Sequence, residues 1–249
     1  MRALITGASS GIGKHIALYL NDLGYELYLV SKSKKELDEV FKDIKGTINT
    51  IESDLSKEEN CISLYEQLKN KNIDILVNNA GFGDAGNFTE TNLNKELDMI
   101  NVNIKAYHIL MKKFLKDFTK RGYGRVLNVA SMSGFMPGPY MATYYATKSY
   151  IIKLSLAIYQ ELKEMNSNVK ISVFCPGPVK TNFTKKAHVH FNISSLSAEA
   201  ASQIAINGMF KNKLIILPNN MKINYILTKL APTKLLLGIS ALTHERASK

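Results

Sequence analysis

The sequence predicts an α/β chain, a doubly wound parallel sheet of about seven strands with helices on both faces. Three observations predict it. Short apolar runs alternate with longer stretches of helical period along the chain. Several of those runs are apolar throughout and rich in β-branched residues, as strands buried on both faces are. A glycine-rich turn follows the first run and opens the first helical stretch.

The elements follow in order. Strands are expected at 3–5, 26–30, 48–51, 73–77, 125–129, 170–174 and 214–217. Helices are expected near 11–23, 34–44, 57–70, 93–120, 142–165 and 198–210, with right-handed crossovers between parallel strands. No Pro/Gly/Ser-rich linker, repeat or low-complexity tract divides the 249 residues, so 1–249 reads as one domain. Residues 220–249 are apolar with interspersed lysines and read as an extra helical extension.

Composition excludes several classes. Hydrophobic residues make up 45% and charged residues 21%, which argues against disorder, a collagen-like repeat and a coiled coil. Cys61 and Cys175 stand far apart, with no CxxC or Cys/His ligand spacing, so neither a zinc site nor a disulfide framework is expected. A strand beginning within the first residues leaves no room for a signal peptide. No apolar run reaches the roughly 18 residues of a spanning helix. The expected location is cytoplasmic.

Thr6-Gly7-Ala8-Ser9-Ser10-Gly11-Ile12-Gly13 is the turn after the first strand. Gly7 suits a tight turn of positive φ. Gly11 lets a pyrophosphate approach the backbone, and Gly13 lets the helix pack close to the sheet. Phosphates would then face free N–H groups at a helix N-terminus. The spacing is GxxxGxG rather than GxGxxG, and no Lys-Ser/Thr pair closes it as in an ATP-binding loop. Alone, such a turn is equally a Gly/Ser loop that caps a helix.

Dinucleotide folds place the group that reads the adenosine ribose about twenty positions further on. Here the second strand runs into Ser31-Lys32-Ser33-Lys34-Lys35, and the first carboxylate is Glu36. An ammonium attracts a 2′-phosphate where a carboxylate would repel it. NADP(H) is therefore expected over NAD(H), with Lys32 the leading contact. A solvated basic helix start is the alternative.

Tyr144 and Lys148 stand at i and i+4 in a predicted helix and share one face. A free phenol has a pKa of about 10, and acid–base work near neutrality needs a fall worth roughly 4 kcal/mol. One charge about 4 Å away supplies roughly that at an effective dielectric near 20. With Asn103 and Ser131, the pair could handle a carbonyl or an alcohol.

These motifs together resemble the short-chain dehydrogenase/reductase family. The matching residues are Thr6-Gly7-x-x-x-Gly11-x-Gly13, Asp54-Leu55, Asn78-Asn79-Ala80-Gly81 and Asn103 within Val102-Asn103-Ile104. Ser131 stands 13 residues before Tyr144, followed by Tyr144-x-x-x-Lys148 and Pro176-Gly177-Pro178-Val179-Lys180-Thr181. The likeness runs over roughly 1–210 and implies a Rossmann-type fold. It implies Tyr144 as general acid in reduction and base in oxidation, with Lys148 lowering its pKa and holding the nicotinamide ribose. It implies Ser131 as the substrate-oxygen partner and Asn103 as the residue shaping the helix and a water relay to Lys148. Cofactor contacts are implied for Gly7, Ser9, Ser10, Gly11, Ile12, Gly13, Ser31 and Lys32. The same holds for Asp54, Leu55, Asn79, Ala80, Gly81, Tyr144, Lys148, Pro176, Gly177, Val179 and Thr181. A homo-oligomer, dimer or tetramer, acting on a small-molecule carbonyl or alcohol completes the implication.

Neighbouring residues receive plainer readings. Tyr145 is expected to pack and Ser133 to belong to the loop, while Met132, Met136 and Met141 either line a soft apolar pocket or fill space. Residues 180–210 are expected to form a substrate-covering loop and helix, with Lys185, Lys186, His188, His190 and Phe191 in the loop. The extension at 220–249 could cover the site, form a subunit interface, lie on a membrane surface or fold against the body.

The net charge of +11 divides unevenly: residues 1–179 hold 22 basic and 19 acidic side chains, residues 180–249 hold 10 and 2. The excess sits mostly beyond the cofactor motifs. It points to an anionic or amphipathic substrate, or a lipid surface, near the C-terminal part. No aromatic-basic module accompanies it, so nucleic acid is not an expected partner. The expected function is an NADP(H)-preferring oxidoreductase interconverting a carbonyl and a secondary alcohol. The alternative is a catalytically silent NAD(P)-binding regulator.

Overall fold

A computed structural model describes residues 1–183, 187 and 195–244. The strands are β1 (Arg2–Thr6), β2 (Glu26–Ser31), β3 (Ile48–Glu52), β4 (Ile75–Asn78), β5 (Arg125–Val129), β6 (Lys170–Phe174), β7 (Val179–Lys180), β8 (Leu196–Ser197) and β9 (Ile215–Ile216). Seven form one parallel sheet in the order β3-β2-β1-β4-β5-β6-β9; β7 and β8 pair separately. The helices are α1 (Gly11–Asp22), α2 (Lys34–Phe41), α3 (Glu58–Leu68), α4 (Leu93–Ile100), α5 (Tyr107–Arg121), α6 (Ala142–Glu164), α7 (Ala198–Phe210), α8 (Lys222–Leu230) and α9 (Thr233–His244).

Strand alternation divides the core in two. Leu4, Leu76 and Val126 point to one face and pack with Leu64, Phe114 and Ile151 of α3, α5 and α6. Ile5, Leu29 and Val77 point to the other face and pack with Ile16 and Leu20 of α1 and Ala205 of α7. Strand order runs outward in opposite directions from β1 and β4. A crevice opens at the carboxyl ends of the strands where the order reverses, and ligands bind there in open α/β sheets.

Three expectations are corrected. The helix predicted over 93–120 is interrupted by a π-helical turn, Asn101–Ala106, between α4 and α5. Apolar periodicity alone does not register one extra residue in a turn. The last strand is two residues long rather than four. The helix at 198–210 does not cover the substrate cavity. Its Ala201 and Ala205 are fully buried against α1 and the sheet, a close approach that small side chains permit. Lys185, Lys186, His188, His190 and Phe191 lie outside the described residues.

The extension forms the helix pair α8 and α9. Tyr225 meets Phe135 edge-on with ring centroids 4.8 Å apart, and the Ser240 hydroxyl donates to Pro137 O at 3.0 Å.

Candidate active site

A cavity of about 740 Å³ fills the crevice. Its floor is the β1–α1 turn. Gly7 has φ +66°, and a Cβ there would meet Ala80 Cα at 2.8 Å. A Cβ at Gly13 would stand 2.3 Å from Gly7 O, so only glycine lets α1 begin this close to the turn. Ser10 precedes α1 without a side-chain cap, and the first N–H groups of the helix face the cavity beside Gly11 and Ile12. The turn is tied down by two residues. Asn79 Nδ2 donates to Thr6 O and Gly7 O, both at 3.0 Å, and the Thr6 hydroxyl accepts from the N–H groups of Asn79 and Ala80 at 3.0 and 3.1 Å. In the sequence Thr6 reads as the first residue of the glycine turn; that its hydroxyl locks the turn shows only in the fold.

At the end of β2, hydroxyls and one ammonium converge. Ser31 Oγ donates to Ser9 Oγ at 3.1 Å and accepts from Ser33 N at 3.4 Å. Lys32 Nζ pairs with Asp54 Oδ2 at 3.2 Å. Burial acts to raise the Asp54 carboxyl. Hydrogen bonds from Ser56 and the Lys32 ammonium outweigh it and hold the group below the usual carboxylate range. Leu55 is buried behind them and lines the cavity.

The opposite end holds the four residues singled out for chemistry. Ser131 follows β5 with extended backbone and starts a 3₁₀ turn, Met132–Phe135. Its Oγ lies 3.0 Å from Ser133 Oγ, and it hydrogen-bonds the Tyr144 phenol. Tyr144 and Lys148 share the inward face of α6 and are buried. Lys148 Nζ donates to Val129 O at 3.0 Å, a carbonyl that also accepts from the Tyr107 hydroxyl. Asn103 sits in the π turn, fully buried. Its Oδ1 accepts from Phe82 N at 3.1 Å, and its Nδ2 donates to Phe82 O at 2.9 Å and Thr147 Oγ1 at 3.1 Å. Asn103 thereby fastens the Gly81–Phe82 loop to α6.

Electrostatics here differ from the two-charge arithmetic. Burial pushes the Tyr144 phenol up, and the hydrogen bond from Ser131 only partly opposes this. Burial also pulls Lys148 down from 10.5 to about 8. Burial, which spacing cannot reveal, dominates the phenol of Tyr144, and Lys148 Nζ stands 5.8 Å from the centroid of its ring.

Every expected cofactor residue except Gly13 lines this one cavity, as do Ser131, Tyr144 and Lys148. Gly13 and Asn103 stand one layer behind. Ser133, expected as plain loop, lines the cavity and hydrogen-bonds both Ser131 and Tyr145. Met132 and Met136 also line it, whereas Met141 packs behind Tyr144 and Tyr145. For the extension, covering the site was one of four placements left open, and its inner side does line the cavity. Phe183 lies 5.2 Å from the Tyr144 ring, and α8, α9 and the turn before them contribute Met221, Asn224, Leu227, Thr228, Leu236, Ile239 and Ser240. Among the described residues, no group of three His, Cys, Asp or Glu could hold a metal ion. No helix among them is long and apolar enough to cross a membrane.

Residues 1–190 match the model of the short chain dehydrogenase family. The chain belongs to that family of oxidoreductases. Within it, the chain is 32% identical over 185 residues to an uncharacterized oxidoreductase of Staphylococcus epidermidis, covering 74% of this chain and 80% of the relative. It is similar in structure to a short-chain dehydrogenase from Sphingobium yanoikuyae in complex with NADPH, with a TM-score of 0.82 and 25% identity, over 90% of this chain and 91% of that one. It is also similar to the bulky-bulky ketone specific alcohol dehydrogenase from Comamonas testosteroni, with a TM-score of 0.80 and 27% identity, over 94% and 92%. The family match ends before α7, so the helix pair that walls the cavity lies outside it.

Proposed function

We propose that this short-chain dehydrogenase is an NADP(H)-preferring enzyme that interconverts a carbonyl and a secondary alcohol. The observation that carries the reading is the convergence of Ser131, Tyr144 and Lys148 at the end of one cavity whose other end is a glycine cradle. The cradle suits a dinucleotide. Gly11 has φ +55°, and a Cβ there would crowd Thr181 Cγ2 at 3.1 Å, so glycine suits this position of the cradle. The free N–H groups of α1 would meet the pyrophosphate. Asp54 and Leu55 would border the adenine, Asn79 to Gly81 the ribose, and Pro176 to Thr181 the nicotinamide. The hydride belongs to the bound nicotinamide.

The chain's own residues orient the substrate and move the proton. Ser131 Oγ holds the substrate oxygen within reach of the Tyr144 hydroxyl. The raised phenol pKa keeps Tyr144 protonated near neutral pH, the form a general acid in carbonyl reduction needs. The buried Lys148, its Nζ 5.8 Å from the Tyr144 ring centroid, would hold the nicotinamide ribose and stabilise the phenolate as the proton leaves. Asn103 and Thr147 fix the loop and the helix that carry these groups.

NADP(H) preference rests on Lys32, with the hydroxyls of Ser9, Ser31 and Ser33 beside it. These are donors for a 2′-phosphate, and Asp54 pairs with the ammonium at 3.2 Å. The relative solved in complex with NADPH supports a nicotinamide cofactor for this chain. The ketone-specific relative makes a carbonyl substrate a natural class to test. A homodimer or homotetramer acting on a small molecule completes the proposal, and light scattering after size exclusion tests the assembly.

The deciding experiment is NADPH oxidation against a panel of ketones and aldehydes, with Tyr144→Phe as control. Turnover that Tyr144→Phe abolishes supports the reading. Cofactor binding without turnover on any carbonyl, unchanged by Tyr144→Phe, would instead mark a silent regulator.

A further inference from the structure

The wall made by α8 and α9 has an outer face that the reduction does not use. α8 turns its polar side inward: Tyr225 packs on Phe135, and Asn224 and Thr228 line the cavity. At about 100° per residue, Ile223, Ile226, Leu227 and Leu230 fall within about 100° of arc on the opposite side. They are 72%, 54%, 54% and 78% exposed. α9 adds Leu235 and Ile239, about 40° apart on its circumference and also exposed, while the exposed Leu237 lies on another side of the helix. Of the seventeen exposed large apolar side chains among the described residues, seven lie on this helix pair. A helix on the surface of a water-soluble body carries the reverse pattern.

Charge selects what covers this face. Residues 222–244 hold Lys222, Lys229 and Lys234 and no Asp or Glu. Lys222 runs along one edge of the apolar arc of α8, while Lys229 Nζ lies over the Tyr225 and Phe135 rings at 5.5 and 5.6 Å. A second copy of this chain would bring the same lysines against these, with no carboxylate to meet them. An anionic bilayer complements both features, since acyl chains take the apolar arc and headgroups the ammonium groups.

Leu227 and Ile239 join this face to the site. Each is more than half exposed, and each also lines the cavity. At these two residues the rim between the outer face and the chamber holding Tyr144 is apolar.

We propose that α8 and α9 dock the chain on anionic phospholipid bilayers and that a lipid-soluble carbonyl enters the cavity over the Leu227–Ile239 rim. The docking stands independently of the reductase reading; the entry route rests on it. The test is flotation of the full chain with phosphatidylcholine vesicles, with and without phosphatidylserine. Binding is expected only with phosphatidylserine. Ile226→Glu/Leu230→Glu should abolish it, and Lys222→Gln/Lys234→Gln should weaken it roughly 30-fold, at roughly fivefold per lysine. Neither pair lines the cavity, so NADPH oxidation with a water-soluble ketone should be unchanged in both; this separates loss of docking from loss of folding or chemistry. Phosphatidylserine vesicles should also raise the wild-type rate on a long-chain ketone dissolved in them, and leave Ile226→Glu/Leu230→Glu unstimulated. Absence of flotation, or flotation that neither variant weakens, overturns the docking. Flotation without stimulation overturns the entry route. A dimer that Ile226→Glu/Leu230→Glu converts to monomer, with no vesicle binding, assigns the face to a second copy instead.

Discussion

Replacing Lys148 with Met should stabilise the cofactor-free protein while removing its activity. Lys148 is buried, and burial pulls its amine from 10.5 to about 8. Below pH 8 the folded protein must carry a charge it disfavours, whereas the unfolded chain carries it freely. Each tenfold loss of proton affinity corresponds to about 1.4 kcal/mol, so the penalty near pH 7 is about 3 kcal/mol. The penalty is complete below the folded value and vanishes as pH rises through the unfolded value, because there both states are neutral. Met has a similar length and no charge. The Val129 carbonyl left behind keeps its hydrogen bond from the Tyr107 hydroxyl at 3.1 Å, so no acceptor is orphaned. For a chain of this size the gain corresponds to a Tm rise of roughly 6–12 °C at pH 7. The assay is thermal and urea unfolding of both proteins, followed by circular dichroism at pH 7, 9 and 10.5. The variant's advantage should be largest at pH 7 and close towards pH 10.5. A variant no more stable than wild type at pH 7, or an advantage that grows with pH, would refute the desolvation argument.

Other outcomes follow from the same geometry. Lys32→Asp should reduce the ratio of kcat/KM for NADPH over NADH at least tenfold, because a second carboxylate beside Asp54 repels a 2′-phosphate; steady-state kinetics with both cofactors checks this. Gly13→Ala should cost at least about 1–3 kcal/mol in urea unfolding and weaken cofactor binding, since its Cβ would stand 2.3 Å from Gly7 O. Thr6→Val should cost about 2–4 kcal/mol, because the N–H groups of Asn79 and Ala80 both lose their acceptor. Asn103→Leu should lower kcat more than it raises KM, with loss of the Phe82 and Thr147 bonds that hold the loop to α6.

Much of the fold was legible because its signals are local. Runs such as Leu27 to Val30, buried throughout, announce a strand covered on both faces. Gly7 and Gly13 mark places where a side chain cannot fit, and a spacing of four puts Tyr144 and Lys148 on one face. The π turn escaped because it leaves the apolar pattern of 93–120 almost unchanged while rotating Asn103 into the core. The β7–β8 pair escaped because two-residue strands carry no periodicity. The burial of α7 against α1 escaped because Ala201 and Ala205 look the same whether they face a helix or a substrate.

Residue type and short spacing were enough for the alternation of strand and helix, the glycine turn, the candidate reacting groups and the concentration of positive charge after residue 180. What remained depends on packing. The tertiary structure showed that burial raises the phenol of Tyr144 and lowers the amine of Lys148, because desolvation depends on everything packed around a group. It showed that Thr6, at the end of β1, and Asn79, just past β4, lock the same turn. It also gave the extension its place: α8 and α9 wall the cavity with one side and leave seven large apolar side chains facing outward. Which side of a helix faces in is a property of its neighbours, and no periodicity within the helix can supply it.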